Sequence, residues 1–152
     1  MQNHLLKISD AASLALHTGI LLASDPARLW STPELTAAMQ VSGAHLAKVL
    51  QRLTKARLVR SVRGPKGGFT LARPAAEVTL LQVYEAIEGP LEPPTCLLGA
   101  PVCRLKTCML GGLVAEVDAR VRTFLEGARL SDVASEHAPS PGAPIAGVPG
   151  TV

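Results

Sequence analysis

Three cysteines lie within thirteen residues, at Cys96, Cys103 and Cys108, in the spacing C-x6-C-x4-C. Thiolates bind soft metal ions and iron–sulfur clusters, and they can also be oxidised reversibly. Isolated cysteines usually pack as small hydrophobic residues. A purely structural role is less favoured here, because the surrounding Pro/Gly-rich segment 89–107 provides little hydrophobic core in which thiols could pack.

Zinc and an iron–sulfur cluster are the two metal interpretations of this spacing. A structural zinc site normally has four ligands, with cysteines about two to four residues apart. The first gap here is six residues, and the histidines that could complete the site are distant: His4, His17, His45 and His137. Iron–sulfur clusters accept looser loops because the chain wraps an inorganic core. Three thiolates would leave one iron for another ligand, open to small oxidants or nitric oxide.

Positive charge is the second chemical feature of the chain. Residues 35–76 contain no Asp or Glu and carry eight Lys and Arg residues. The remaining 7 basic and 12 acidic residues give the rest of the chain a charge of −5, against +8 for this segment. Such a distribution favours a polyanion at one surface, although a solvated basic face without a partner has the same composition. Aromatic residues make up only 3%, which argues against a stacking platform for single-stranded nucleic acid.

The basic segment falls on a recognisable order of elements. Helical spacing of apolar residues predicts a first helix over 7–23. Ser31 with Glu34 forms a capping box for a second helix, and Ser42 caps a third after a short break. The third helix is apolar on one side and basic on the others. This order is typical of a helix-turn-helix.

Two strand candidates, 58–62 and 68–72, follow around the glycine-rich basic loop 63–67. Such a hairpin fits the wing of a winged helix, in which glycines let the backbone approach phosphates closely; an ordinary hairpin with a flexible tip is the alternative. We expect the third helix to face the major groove and the hairpin to touch the backbone or minor groove. The predicted DNA-contacting residues are Ser42, His45, Lys48 and Arg52 on the helix, and Arg60, Arg63 and Lys66 on the hairpin.

A fourth helix is predicted from the cap Thr79 to about 87, and a long helix is predicted from about 109 to about 126. The apolar stripe of the long helix favours pairing with a second copy, which would present two recognition helices to a pseudo-palindromic site. The predicted organisation is a DNA-binding domain at 1–88, a cysteine loop at 89–108, a dimerisation helix at 109–134 and a disordered tail at 135–152.

The segment from Val59 to Leu71, VRSVRGPKGGFTL, resembles the wing of the iron–sulfur winged-helix regulators, the family of IscR and NsrR. The resemblance extends from about 8 to about 130 and includes the capped helix pair, the three-cysteine loop and the long terminal helix.

This resemblance implies a homodimer that binds operator DNA, with Cys96, Cys103 and Cys108 as cluster ligands. In the nitric-oxide-responsive branch the fourth ligand is an aspartate near the N-terminus, supplied by the other subunit, and Asp10 matches its position. In the IscR-like branch it is a histidine, whose position is Gly111 here. The resemblance therefore favours the NsrR-like branch and a 4Fe–4S cluster, with 2Fe–2S as the alternative because the gaps depart from the commoner near-equal spacing.

The sequence thus predicts a mainly α fold with a small β-hairpin: a winged helix-turn-helix followed by a long dimerisation helix. The predicted function is a DNA-binding transcriptional regulator, with repressor favoured over activator, controlled by an iron–sulfur cluster that senses nitric oxide, redox state or iron. The alternatives are a metal-free thiol sensor and a winged-helix interaction module without DNA. No arrangement of residues suggests an enzyme. No secretion signal or membrane span is visible, so we expect the cytoplasm.

Overall fold

The computed structural model describes residues 8–92 and 110–136. Within these ranges the chain is mainly helical with one two-stranded antiparallel sheet, which confirms the predicted fold class. In chain order the elements are α1 (Asp10–Ser24), α2 (Thr32–Met39), α3 (Gly43–Lys55), β1 (Val59–Val62), β2 (Gly68–Leu71), a 3-10 turn (Ala75–Glu77), α4 (Leu80–Glu88), α5 (Gly111–Gly127) and α6 (Leu130–Glu136).

Helix α1 begins later than the predicted 7–23 because Ser9 caps it. The Ser9 hydroxyl accepts a hydrogen bond from the backbone N–H of Ala12 at 3.1 Å. This satisfies one of the free amides of the first turn. Ile8 therefore lies outside the helix, although it falls within the predicted range 7–23, and it is 49% exposed.

The predicted capping residues of the next two helices are confirmed. At the start of α2, Ser31 and Glu34 form a reciprocal capping box. Gln40 then adopts a left-handed conformation, with φ of 54°, and ends the helix. At the start of α3, the Ser42 hydroxyl accepts from the His45 N–H at 3.2 Å. These local bonds produce the tight break of a helix-turn-helix.

The hairpin of β1 and β2 is attached to the chain before α2. Val59 pairs with Leu71 and Val62 with Gly68. On the outer side of β2, Trp30 and Phe69 exchange two backbone hydrogen bonds, at 2.8 and 3.0 Å. This bridge fixes the hairpin against the helix-turn-helix.

One apolar core joins the helices. Fully buried side chains from α1, α2, α3, α4 and α6 contribute to it, and they include Leu22, Leu35, Leu50 and Leu130. α1 packs against both α4 and α6. A Cβ added at Gly19 would lie 3.2 Å from the Leu130 side chain, so the glycine lets α6 approach α1 closely.

The long helix predicted from about 109 to about 126 corresponds to α5, and a further helix, α6, begins within the segment 109–134 that is assigned to dimerisation from the sequence. α5 ends at Gly127, and the chain turns through a bridge between Thr79 and Arg129 before α6 begins. Leu130 is fully buried against the domain. Burial of this side chain favours a turn after Gly127 over a longer α5. Ser135 and Glu136, predicted as the start of a disordered tail, belong to α6; residues 137–152 lie outside the described ranges. None of the helices described combines the length and apolar character needed to cross a membrane.

Candidate nucleic-acid interface

Helix α3 presents two different faces. Its apolar residues Leu46, Val49, Leu50 and Leu53 are buried. The opposite side, which we call the outward face, consists of exposed residues at helical spacing: Ala44, Ala47, Lys48, Gln51 and Lys55. The polar side of α3 is therefore available to a partner along three turns.

Most cations of the acid-free segment lie on this helix, on the turn after it and on the adjoining hairpin. α3 leads directly into β1, since the Leu58 N–H donates to the carbonyl of Leu53 at 3.0 Å. Six exposed cations make no hydrogen bond or ion pair with other residues of the described ranges. These six, the basic surface, are Lys48, Lys55, Arg57, Arg60, Arg63 and Lys66. A surface whose charges are not neutralised internally attracts a polyanion.

Lys55 and Arg57 belong to this surface although they were not among the DNA-contacting residues predicted from the sequence. Arg57 has a φ of 59° and ends the turn after α3. Both residues lie within the segment 35–76 that contains no Asp or Glu. Taking every cation of that segment as a candidate would have predicted them.

The predicted DNA-contacting residues of α3 differ in their exposure and in their hydrogen-bond partners. Lys48 is exposed, Ser42 is exposed with its hydroxyl oxygen used as a cap, and His45 is half-buried. The Arg52 guanidinium instead turns toward α4 and donates from Nη1 to the Ile87 carbonyl at 3.0 Å. Arg52 thus joins two helices.

The hairpin tip carries Arg63 and Lys66, both exposed. Gly64 has a φ of 123°, which favours glycine. Its carbonyl accepts from the Gly67 N–H at 2.9 Å. A Cβ at Gly67 would lie 2.1 Å from the Val62 carbonyl oxygen, so this tight turn requires glycine there too.

At the start of α2, Arg28 forms an ion pair with Glu34 and stacks on Trp30. The Arg28 guanidinium lies 3.8 Å from the ring centroid of Trp30 and 2.7 Å from the Glu34 carboxylate. Hydrogen bonds from the Ser31 side chain and backbone, helped by Arg28, lower the pKa of Glu34 from 4.5 to about 2. Glu34 is therefore ionised at neutral pH and keeps the capping box formed.

The described chain also shows how the cysteine segment is attached. Ser9, which precedes Asp10, donates to the Glu88 carboxylate at the end of α4. Leu91 follows; its N–H donates to Glu85 at 3.1 Å, and its carbonyl accepts from Arg122 of α5. Leu91 is thus held by α4 and α5, and the end of α4 is tied to the cap of α1.

Tyr84 lies buried in the same region. Burial raises the pKa of Tyr84, and the negative charges of Glu88, Asp118 and Glu85 raise it further. The phenol therefore stays neutral at physiological pH, among acidic side chains of α4 and α5.

The proposed metal ligands are only partly visible. Cys96, Cys103 and Cys108 lie outside the described residues. Asp10 is exposed in the first turn of α1, and its carboxylate makes no hydrogen bond or ion pair with another residue in the described ranges. Those ranges hold no group of three His, Cys, Asp or Glu side chains arranged to bind a metal.

A second surface lies on α5. Leu110, Leu113 and Phe124 are 40%, 55% and 64% exposed. With Val117 and Val121 they form one stripe at helical spacing, the α5 stripe. Val114 and Leu125 are buried instead. The helix therefore carries more apolar surface than its own domain covers.

Comparison with known proteins places this architecture among transcriptional regulators. A Mycobacterium tuberculosis protein named as an HTH-type transcriptional regulator, Rv1287, is 32% identical over 136 residues, covering 88% of this chain and 84% of the relative. The structure of CymR, the global cysteine regulator of Bacillus subtilis, has a TM-score of 0.71 at 26% identity, covering 86% of this chain and 98% of that one. The T. potens IscR structure has a TM-score of 0.70 at 21% identity, over 89% and 92% of the two chains; this last likeness concerns the fold alone.

Residues 8–136 match the sequence pattern of the Rrf2 family, described as iron-dependent transcriptional regulators. The match includes the helix-turn-helix, the hairpin, the cysteine segment and α5. The prediction that the chain is not an enzyme is confirmed, because this is a family of regulators. The chain belongs to the Rrf2 family of transcriptional regulators.

Proposed function

We propose that this protein is a homodimeric repressor whose affinity for operator DNA is controlled by an iron–sulfur cluster responding to nitric oxide, redox state or iron. The observation that carries the DNA part is the basic surface: six exposed cations on α3 and the adjoining hairpin, without internal partners in the described ranges. Phosphate neutralisation by such cations supplies most of the non-specific affinity for DNA. α3 enters the major groove, and the hairpin contacts the backbone or minor groove.

Within this interface the predicted residues have separate roles. Ser42 accepts a backbone N–H through its oxygen, which leaves its hydroxyl proton for a phosphate. His45 and Lys48 face the groove. Arg60, Arg63 and Lys66 hold the backbone on the hairpin side. Arg52 has a positioning role, because its guanidinium is occupied by the Ile87 carbonyl.

The proposed homodimer rests on the α5 stripe. A stripe of apolar residues over four turns, in which Leu110, Leu113 and Phe124 are exposed, marks an association surface in a soluble protein. Pairing of two stripes would bury them and set the separation of the two α3 helices.

The donor set fits an iron–sulfur cluster in its chemistry. Cys96, Cys103 and Cys108 supply three thiolates, the ordinary ligands of such clusters. Asp10 of the partner subunit is the proposed fourth ligand, supported by its exposed carboxylate, which has no partner among the described residues. When bound, a 4Fe–4S cluster with one oxygen ligand supplies an iron that small oxidants and nitric oxide can reach.

The contacts around α4 suggest how the cysteine segment affects DNA binding. Leu91, at the entrance to that segment, is held by Glu85 and Arg122, and Ile87, one turn earlier, is held by Arg52 of α3. Rearrangement at Leu91 would therefore move the end of α4 and, through Arg52, the recognition helix. Coupling between two sites is typically about 1–3 kcal/mol, a change in affinity of about 5- to 150-fold.

Purification without oxygen tests the cluster assignment. We expect a brown protein with visible absorption, iron and acid-labile sulfide, and a colourless protein for Cys103→Ser. Asp10→Ala should keep the colour but lose it faster in nitric oxide or air, whereas Asp132→Ala, at an exposed acid on α6, should behave as wild type. A colourless wild-type protein would contradict the cluster. If its DNA binding then responded to peroxide, the thiol sensor would replace it, because one reactive cysteine suffices for that switch.

A further inference from the structure

The outward face of α3 is unusually poor in groups that can read a base pair. Ala44 and Ala47 carry only methyl groups, while Lys48 and Lys55 carry ammonium groups. Gln51 alone on this face has both a hydrogen-bond donor and an acceptor in its side chain. Its side chain is exposed and makes no hydrogen bond with other residues of the ranges described.

Arginine, the usual reader of guanine, is absent from this face. Arg52 is the sole arginine of α3, and its guanidinium is bound to the Ile87 carbonyl. Bidentate recognition of guanine O6 and N7 by arginine is therefore not offered by this helix. The lysines act as point charges, which suit phosphate or a single acceptor.

The two alanines bring the helix close to the bases. Small side chains at the first two turns let the backbone approach the groove floor, and their methyl groups suit the methyl group of thymine. Gln51 lies seven residues beyond Ala44, about 10 Å along the axis, which is a length of about three base pairs. Gln51 thus reaches a base pair that the alanines do not touch.

We propose that Gln51 determines operator specificity by pairing its carboxamide with N6 and N7 of an adenine in the major groove of each half-site. This inference rests on the proposed function, since it needs α3 to lie in the groove. Its chemical basis is the complementarity of a glutamine amide to adenine, which presents one donor and one acceptor there. The half-site contains an A·T pair about three base pairs from the one that Ala44 contacts.

The test starts from sequences that the full-length wild-type protein selects from a randomised duplex library. Every position of the selected site is then replaced, and the dissociation constants are compared for wild type, Gln51→Ala and Gln51→Glu. Wild type should lose about 5- to 150-fold in affinity when one A·T pair is changed. Replacement of that adenine by 7-deaza-adenine, which removes N7, should also weaken binding.

For Gln51→Ala the penalty at that one pair should disappear, while the penalties elsewhere remain. Gln51→Glu should shift the preference at that pair toward cytosine, whose N4 amino group donates to a carboxylate. Lys55→Ala is the control, and it should weaken all sequences equally. Equal weakening of all sequences by Gln51→Ala, or an unchanged preference at every position, would overturn the proposal. Failure of wild type to select any sequence would instead contradict the proposed function.

Discussion

Gly68 shows how a single residue fixes the hairpin to the rest of the domain. A Cβ at this position would lie 2.6 Å from the carbonyl oxygen of Trp30 and 2.8 Å from its carbon. Both atoms belong to the bridge between Trp30 and Phe69. The sequence predicted a glycine-rich hairpin, yet no local pattern indicated this close approach, because Trp30 lies 38 residues earlier in the chain.

Gly68→Ala should therefore lower the free energy of unfolding by about 1–3 kcal/mol, since the added methyl group must separate the bridge. Urea unfolding of the purified protein measures this change. Gly112→Ala is the matched control: no atom lies within 4 Å of its added Cβ, and it replaces glycine inside a helix. The control should be neutral or slightly stabilising. Equal stabilities of the two variants would contradict the close packing at Gly68.

Glu34 predicts a dependence of stability on pH. Its pKa in the folded protein, about 2, is below the ordinary value of 4.5. The ionised form is thus stabilised by folding, and this contribution is present above the ordinary value and is lost as the pH falls toward about 2. Because the side chain is 44% exposed, we expect only about 1 kcal/mol, the usual value of a helix cap.

Glu34→Gln should accordingly be less stable than wild type at neutral pH and converge with it on acidification. The urea midpoints of the two proteins across this range measure the effect. Glu116→Gln, at an exposed ion pair of 3.7 Å, serves as the control and should differ little at any pH. A constant difference between wild type and Glu34→Gln at all pH values would argue against the carboxylate as its source.

At the scale of elements, the capped helices and α5 could be predicted from the sequence, whereas α6 and the turn before it could not. Ser31, Ser42 and Thr79 act within three residues of their partners, so the sequence alone specifies these caps. The turn between α5 and α6 depends instead on the bridge of Arg129 to Thr79, and on burial of Leu130 against α1. Arg52 is similar, because its acceptor Ile87 is 35 residues away.

The α5 stripe makes a prediction about assembly. Phe124→Glu and Leu113→Glu place charges in the proposed dimer interface, where an uncompensated charge is costly. We expect sedimentation to show a shift from dimer to monomer, with helical circular dichroism retained. Ala119→Glu, at an exposed position on the other side of α5, should remain dimeric. If both stripe variants form dimers with undiminished affinity, α5 is not part of the dimer interface.

At the scale of the whole molecule, the uneven charge becomes a property of one surface. The acid-free run is visible in the sequence. The fold shows its main consequence, which is a set of cations without internal partners in the described ranges.

Arg63→Ala should weaken operator binding and reduce the slope of log affinity against log salt by about 1, the value for one phosphate neutralised by one cation. Arg120→Ala, on α5, is the control and should leave the slope unchanged. An unchanged slope for Arg63→Ala would contradict the hairpin as a phosphate-binding element.

The state of the cysteine segment should set the affinity of the whole molecule for DNA. The most direct measurement is the titration of one operator duplex with three preparations: cluster-containing protein, nitric-oxide-treated protein and cluster-free protein, at one salt concentration. We expect tight binding by the first and affinities about 5- to 150-fold weaker for the other two. Equal dissociation constants for all three would contradict control of DNA binding by the cluster.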